Sequence, residues 1–183
     1  ISPAWIVAAR TGMAVVLLYG YMRIRGRSFP PLRDKVWLWY VFIGFFSMSA
    51  PFFLVAKGQI HIDSGLASIL IASMPLMTIV LAHFFVSGEQ LSWRKTIGFI
   101  IGFIGIIILF LPEPLSWSLV ANWQAQSLLL IAAACYAIAT VTIKRAPEVP
   151  ASVGGTMLVL TAFILSTIWA LGGSLISGEM PAM

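Results

Sequence analysis

Six apolar runs divide the chain, at 3–22, 36–56, 64–88, 96–111, 125–143 and 151–176. Each is continuous, whereas the strands of a membrane β-barrel alternate over about ten residues. A bilayer core takes about 20 mostly apolar residues as a helix. The pattern therefore predicts an all-α polytopic membrane helix bundle of about six transmembrane helices. The punctuation agrees. Ser2-Pro3 opens the first run, and proline is accepted in the first turn of a helix. Pro112 and Pro114 close the fourth run, Lys144, Arg145 and Pro147 close the fifth, and Pro150 opens the sixth. The third run is the cleanest: its 25 residues contain one ionisable side chain, His83, and a central proline, Pro75. Proline removes the donor that the carbonyl of Ile71 would have met, and hydrocarbon offers no water in its place. One kinked spanning helix is expected here, followed by a short turn with Glu89, Arg94 and Lys95.

Composition narrows the class. The chain is 60% hydrophobic and 9% charged, with a mean hydropathy of +1.00. Soluble domains carry about 25% charged residues, so an ordinary soluble domain is excluded. The net charge of +5 does not point to nucleic acid, because the basic residues sit in alternate loops. Loops 23–35, 94–95 and 144–145 hold nine of the eleven Lys and Arg residues. The positive-inside rule places these loops in the cytoplasm, so the first run travels inward and the sixth outward. Trp37, Trp39 and Trp93 flank the basic loops, and Trp117 and Trp123 flank the other side, where interfacial aromatic belts form. The lone cysteine, Cys135, lies in an apolar run and has no intrachain partner for a disulfide. The chain opens on Ile1 with no basic n-region or cleavage site. The expectation is a fragment with at least one helix upstream.

Several residues are candidates for chemistry, each beside a plainer role. At 100° per residue, Ser64, Ser68, Pro75, Thr78 and Ala82 share a face about 80° wide. Such a face, with a freed carbonyl, suits the lining of a substrate path; it also suits an interface where hydroxyls bond backbone. Arg10 lies about 10 Å into the first run. Centred in the bilayer it would cost about 2.5–3.5 kcal/mol. It is a candidate for binding an anionic substrate group, or else a snorkelling anchor or ion-pair partner. Glu89 reads as a structural residue that fixes its turn or pairs with a base or helix end. His83 is a candidate for proton movement, or a packing histidine. Tyr136 and Thr140, four apart, are candidates for the same cavity. Gly98, Gly102 and Gly105 fall within about 60° of one another, a stripe that permits close helix packing or, as the lesser reading, homodimerisation. Enzyme signatures are missing: there is no H-E-x-x-H, G-x-S-x-G or phosphate-binding glycine loop. His61 and Asp63 have no companion ligands, so no metal or other cofactor is expected, and no Walker motif provides for ATP.

The ordered set of features resembles the EamA domain of the drug/metabolite transporter superfamily. The resemblance is carried by SGLAS at 64–68, Ser73-Met74-Pro75, the turn Gly88-Glu89-Gln90-Leu91-Ser92, and the helix with Gly98, Gly102 and Gly105. Ser2-Pro3 with Arg10 looks like the family's second helix, and 125–173 is more loosely similar to the start of a second repeat. The resemblance implies ten helices in two inverted five-helix repeats. The six runs would be helices two to seven. Residues 1–112 would be a first repeat lacking its first helix, and 124–183 the truncated start of a second. It also implies a secondary transporter in the bacterial inner membrane, an exporter of small polar metabolites such as amino acids. The alternatives are a non-transporting membrane scaffold or, among transporters, a nucleotide-sugar or organic-phosphate exchanger. The last would be expected to need several cavity-facing bases, and Arg10 alone is available.

Overall fold

Apolar runs without charge have one way to satisfy their backbone in a bilayer, which is to hydrogen-bond within each segment. The computed structural model describes residues 3–89, 92–110 and 122–177, and among them every regular element is helical. The elements are α1 (Pro3–Ile24), α2 (Val36–Gly44), a π-helical turn (Phe45–Ser49), α3 (Ala50–Gly58), α4 (Ser64–Ile71), α5 (Met74–Phe85), α6 (Trp93–Phe110), α7 (Trp123–Arg145) and α8 (Ala151–Ser177). Five stretches are long and apolar enough to cross a membrane: Trp5–Ile24, Val36–Gly58, Ser64–Phe85, Trp123–Arg145 and Ala151–Gly172. Thr96–Gly105, within α6, is a shorter apolar helix. The six predicted runs thus reappear in order. Pro112, Pro114, Trp117, Gln90 and Leu91 lie outside the described residues.

Local chemistry sets the helix ends. The first helix stops in a Schellman arrangement. Gly26, at φ +65°, donates to Arg23, and Arg27 donates to Met22. Ahead of α2, a carboxylate oxygen of Asp34 accepts the Val36 N–H at 3.0 Å. In the third run the proline breaks the helix instead of kinking it. The first part ends at Ile71, Ala72 and Ser73 form a two-residue break, and Pro75 falls in the first turn of α5. There its missing N–H is one the helix could not have used. Val86 is extended and Gly88 has φ +86°, so the helix ends at Phe85, short of the predicted 88.

A second mid-span proline has a comparable effect. Pro51 follows the π-helical turn, and its ring would crowd the carbonyl four residues back, on Ser47. A wider turn relieves that crowding.

The helices group into two compact units. The first holds residues 1–49 and 146–183. In it, α8 packs against α1, α2 and the π-helical turn. Its core is Met22, Val36, Tyr40, Val153 and Met157, flanked by Phe29, Trp37, Val149 and Leu158. The second unit holds residues 50–145. There α3, α4 and α5 pack on α7, and α6 packs on α4 and α5. The centre of α7 is alanine-rich, with Leu129, Ala132, Ala133 and Ala137 fully buried. Large apolar side chains such as Leu17, Phe84, Ile101 and Ile131 are exposed, as a lipid-facing surface allows.

Candidate functional site

The break between α4 and α5 is the centre of the candidate site. Its backbone is satisfied locally. Ala72 N–H reaches the Ser68 carbonyl at 2.9 Å, and Ser73 N–H reaches that of Leu70 at 3.2 Å. The buried Ser73 hydroxyl also donates to Leu70, at 2.6 Å. One carbonyl therefore takes both donors of the residue that ends the turn. Helix α5 then restarts with Met77 N–H bonded to Ser73. Two short helices meeting end to end in mid-span present helix termini there, a device by which discontinuous helices bind solutes in membranes.

The predicted polar face divides across this break. Ser64, Ser68 and Pro75 are exposed, Thr78 is half-buried and Ala82 is buried. Ser68 donates to the Ser64 carbonyl at 2.8 Å and Thr78 to that of Met74 at 2.9 Å. Both hydroxyls are thus anchored to their own helix, with oxygen lone pairs left to accept from a partner. Tyr136 and Thr140 lie on α7 in the same unit, half-buried. Thr140 donates to the Tyr136 carbonyl at 2.8 Å, and the Tyr136 ring meets Phe52 edge-on at 6.5 Å. Arg10 is exposed on α1, in the other unit. His83 is exposed near the end of α5, its ring 5.2 Å from that of Phe84.

Glu89 is bonded to the Lys144 ammonium at 2.5 Å, so the turn after α5 meets the end of α7. Two of the three basic loops are therefore adjacent within this unit. Gly98, Gly102 and Gly105 are exposed, and a Cβ built on any of them would meet nothing within 4 Å. The stripe has no partner among the described residues.

Other residues make the close contacts. A Cβ on Gly44 would fall 2.3 Å from Thr161 Oγ1, and one on Gly154 would fall 2.5 Å from the Tyr40 hydroxyl. Hydroxyls tie α8 to its neighbours. Ser49 donates to the Ala162 carbonyl at 3.2 Å, Thr161 Oγ1 lies 2.9 Å from both the Tyr40 carbonyl and that of Leu158 in its own helix, and Thr156 donates to Ser152 at 2.6 Å with the Leu18 carbonyl at 3.3 Å. Thr11 and Ser166 approach to 3.4 Å. Two further hydroxyl oxygens, Ser47 Oγ and Thr167 Oγ1, are buried without a partner. Pro51 was the available signal for the disturbed helix around Ser47, since a proline at mid-span carries the same message as Pro75.

The fold and the broken span define a helical, multi-pass membrane protein with a discontinuous helix at its candidate site. The chain belongs to the EamA-like transporter family, whose model matches residues 1–111. It is 28% identical over 178 residues to the uncharacterized inner membrane transporter YedA of Escherichia coli K12, a match covering 97% of this chain and 54% of that protein. It is 28% identical over 132 residues to an uncharacterized transporter of Archaeoglobus fulgidus, covering 72% of this chain and 42% of that one. It is 26% identical over 168 residues to a probable terminal-alkyne amino-acid exporter of Streptantibioticus cattleyicolor, covering 82% and 54%. The chain spans about half the length or less of these relatives. No solved structure matches it.

Proposed function

We propose that this chain is part of a secondary transporter that exports small polar metabolites, amino acids among them, by alternating access in a bacterial inner membrane. The observation that carries the reading is the α4–α5 break. It provides helix ends, a buried Ser73 and accepting hydroxyls in the middle of an otherwise apolar span. Ser64, Ser68, Pro75 and Thr78, with Tyr136 and Thr140 from α7, would line the path within the second unit; Arg10, on the first unit, is a separate candidate for meeting an anionic group. Residues 1–112 and 124–183 would belong to two inverted repeats that rock about this region. Family membership and the name of the Streptantibioticus relative support the solute class. The charge alternation supports cytoplasmic basic loops, and the name of the Escherichia coli relative supports the inner membrane. Rocking of the repeats needs no chemistry on the solute, so the reading is of a carrier and not an enzyme.

The test is flux of radiolabelled amino acids in proteoliposomes carrying the full-length protein. Saturable movement of at least one panel member is expected, and none with protein-free vesicles. A panel that stays still overturns the reading. The unpartnered Gly98–Gly102–Gly105 face favours one rival, a membrane scaffold or homodimer using that stripe. Cross-linking through cysteines placed beside the stripe, together with absent flux, would establish the rival.

A further inference from the structure

The loop between α1 and α2 carries the densest charge in the chain. Residues 23–35 hold Arg23, Arg25, Arg27, Arg33 and Lys35 against one acid, Asp34, while loops 94–95 and 144–145 hold two bases each. The Lys144 ammonium is already paired with Glu89. None of the five bases of the first loop makes an ion pair among the described residues, and all five are exposed. Asp34 is spent locally, where it accepts the Val36 N–H.

The loop is also held in a definite shape. Phe29 turns back between Tyr19 and Trp37, with ring centroids 5.8 and 5.6 Å away, and it packs against the core around Met22 and Tyr40. The Trp37 indole N–H donates to the Pro30 carbonyl at 3.4 Å. Two of the bases are fixed by neutral partners, which leave their charge unspent. Arg25 donates to the Tyr21 hydroxyl at 3.1 Å, with its guanidinium 5.4 Å from the centre of that ring. Arg27 donates to the Ser152 hydroxyl at 3.0 Å, in the first turn of α8.

Position and chemistry together select a partner. The loop joins two stretches able to cross the membrane, Trp5–Ile24 and Val36–Gly58, so it stays at the bilayer surface. Leu32, between Pro31 and Arg33, is 85% exposed. An apolar side chain among bases at that height suits the boundary between headgroups and acyl chains, where apolar groups insert and cations reach phosphate. Four or more bases beside the cytoplasmic end of a spanning helix attract anionic lipid. Four of these five are arginines, whose planar forks match phosphate oxygens. The positive-inside rule accounts for the sign of the loop; it does not account for ordered cations beside an exposed leucine. A nucleic acid or an acidic soluble protein would use the charge and leave Leu32 in water.

We propose that the 23–35 loop is a docking surface for anionic phospholipid of the cytoplasmic leaflet, its bases on the headgroup phosphates and Leu32 in the headgroup boundary. Bound lipid would brace the cytoplasmic ends of α1 and α8, which Arg27 already joins. Nothing in this depends on the solute the protein carries.

The experiment is native mass spectrometry of the full-length protein in detergent, titrated with phosphatidylglycerol and with phosphatidylcholine. Phosphatidylglycerol should bind at least about tenfold more tightly. The triple variant Arg25→Gln, Arg27→Gln, Arg33→Gln should weaken that binding about a hundredfold, at about fivefold per base. The matching arginine-to-lysine triple should retain most of it. Arg94→Gln, Lys95→Gln, Arg145→Gln removes the same charge from the other loops and should change it less than about threefold. Leu32→Glu alters no base and no packed residue, and should weaken it about tenfold; it serves where the arginine triple does not fold. Equal affinity for the two lipids overturns the proposal. So does equal weakening by the two glutamine triples, or unchanged affinity in Leu32→Glu. Polyglutamate that displaces the lipid at lower concentration than the lipid itself would assign the loop to an acidic protein instead, and failure to displace it supports the lipid.

Discussion

Helices α6 and α8 are both apolar, glycine-bearing and of spanning or near-spanning length, yet they behave in opposite ways. On α6, three glycines share one face and meet nothing. On α8, Gly154 alone admits the Tyr40 hydroxyl, while Thr161 reaches the Tyr40 carbonyl of α2 and Ser49 bonds to the Ala162 carbonyl of α8. Glycine spacing shows where backbones are able to approach; it does not show what approaches. In hydrocarbon, where apolar surfaces give helices little reason to associate, a contact is marked by complementary steric and polar detail. The α8 interface has both, and its small residues lie on both sides: Gly44 faces Thr161 as Gly154 faces Tyr40.

The sharpest break of this comparison is Gly44→Ala. The new methyl would overlap Thr161 Oγ1 and press on the backbone of Leu158 and Ala162, at 3.1 and 3.2 Å. Overpacking of this kind costs about 1–3 kcal/mol, read as a lower melting temperature in detergent. An unchanged melt would show that the interface is looser than described. Thr161→Val should cost less, about 0.6 kcal/mol for one interhelical hydrogen bond in a membrane protein. A comparable loss on replacing Thr140, which bonds within its own helix, would blur the distinction. Gly102→Ala should change the stability of this chain by less than about 0.5 kcal/mol. A large loss there would mean that the α6 face is packed after all.

Much of this was legible in residue order. Uninterrupted apolar runs placed the six helical stretches to within a few residues, although the second and third each divide in two. Charge alternation anticipated that basic loops share an end, and Glu89 with Lys144 joins two of them. Other features were hidden for physical reasons. A hydroxyl looks the same in sequence whether it bonds its own turn, as Ser68 does, or another helix, as Ser49 does. A lone glycine such as Gly44 carries no periodic signal, so a search for stripes passes over it. Pro51, preceded by Ser47 and Ser49, carries the same signal of a disturbed helix as Pro75. The bond from the Asn122 side chain to the His61 carbonyl joins residues 61 positions apart, and single-helix wheels cannot bring them together.

The central claim is that the α4–α5 break serves movement of solute while the α8 interface serves packing. It is tested most directly by amino-acid counterflow in proteoliposomes holding equal amounts of parent, Pro75→Ala and Gly44→Ala full-length protein. The account predicts that Pro75→Ala, whose new N–H allows α4 and α5 to join into one continuous helix, keeps a near-parent melt but loses most of its counterflow. It predicts that Gly44→Ala shows the larger loss of stability. Parent-level counterflow by a folded Pro75→Ala protein would contradict it.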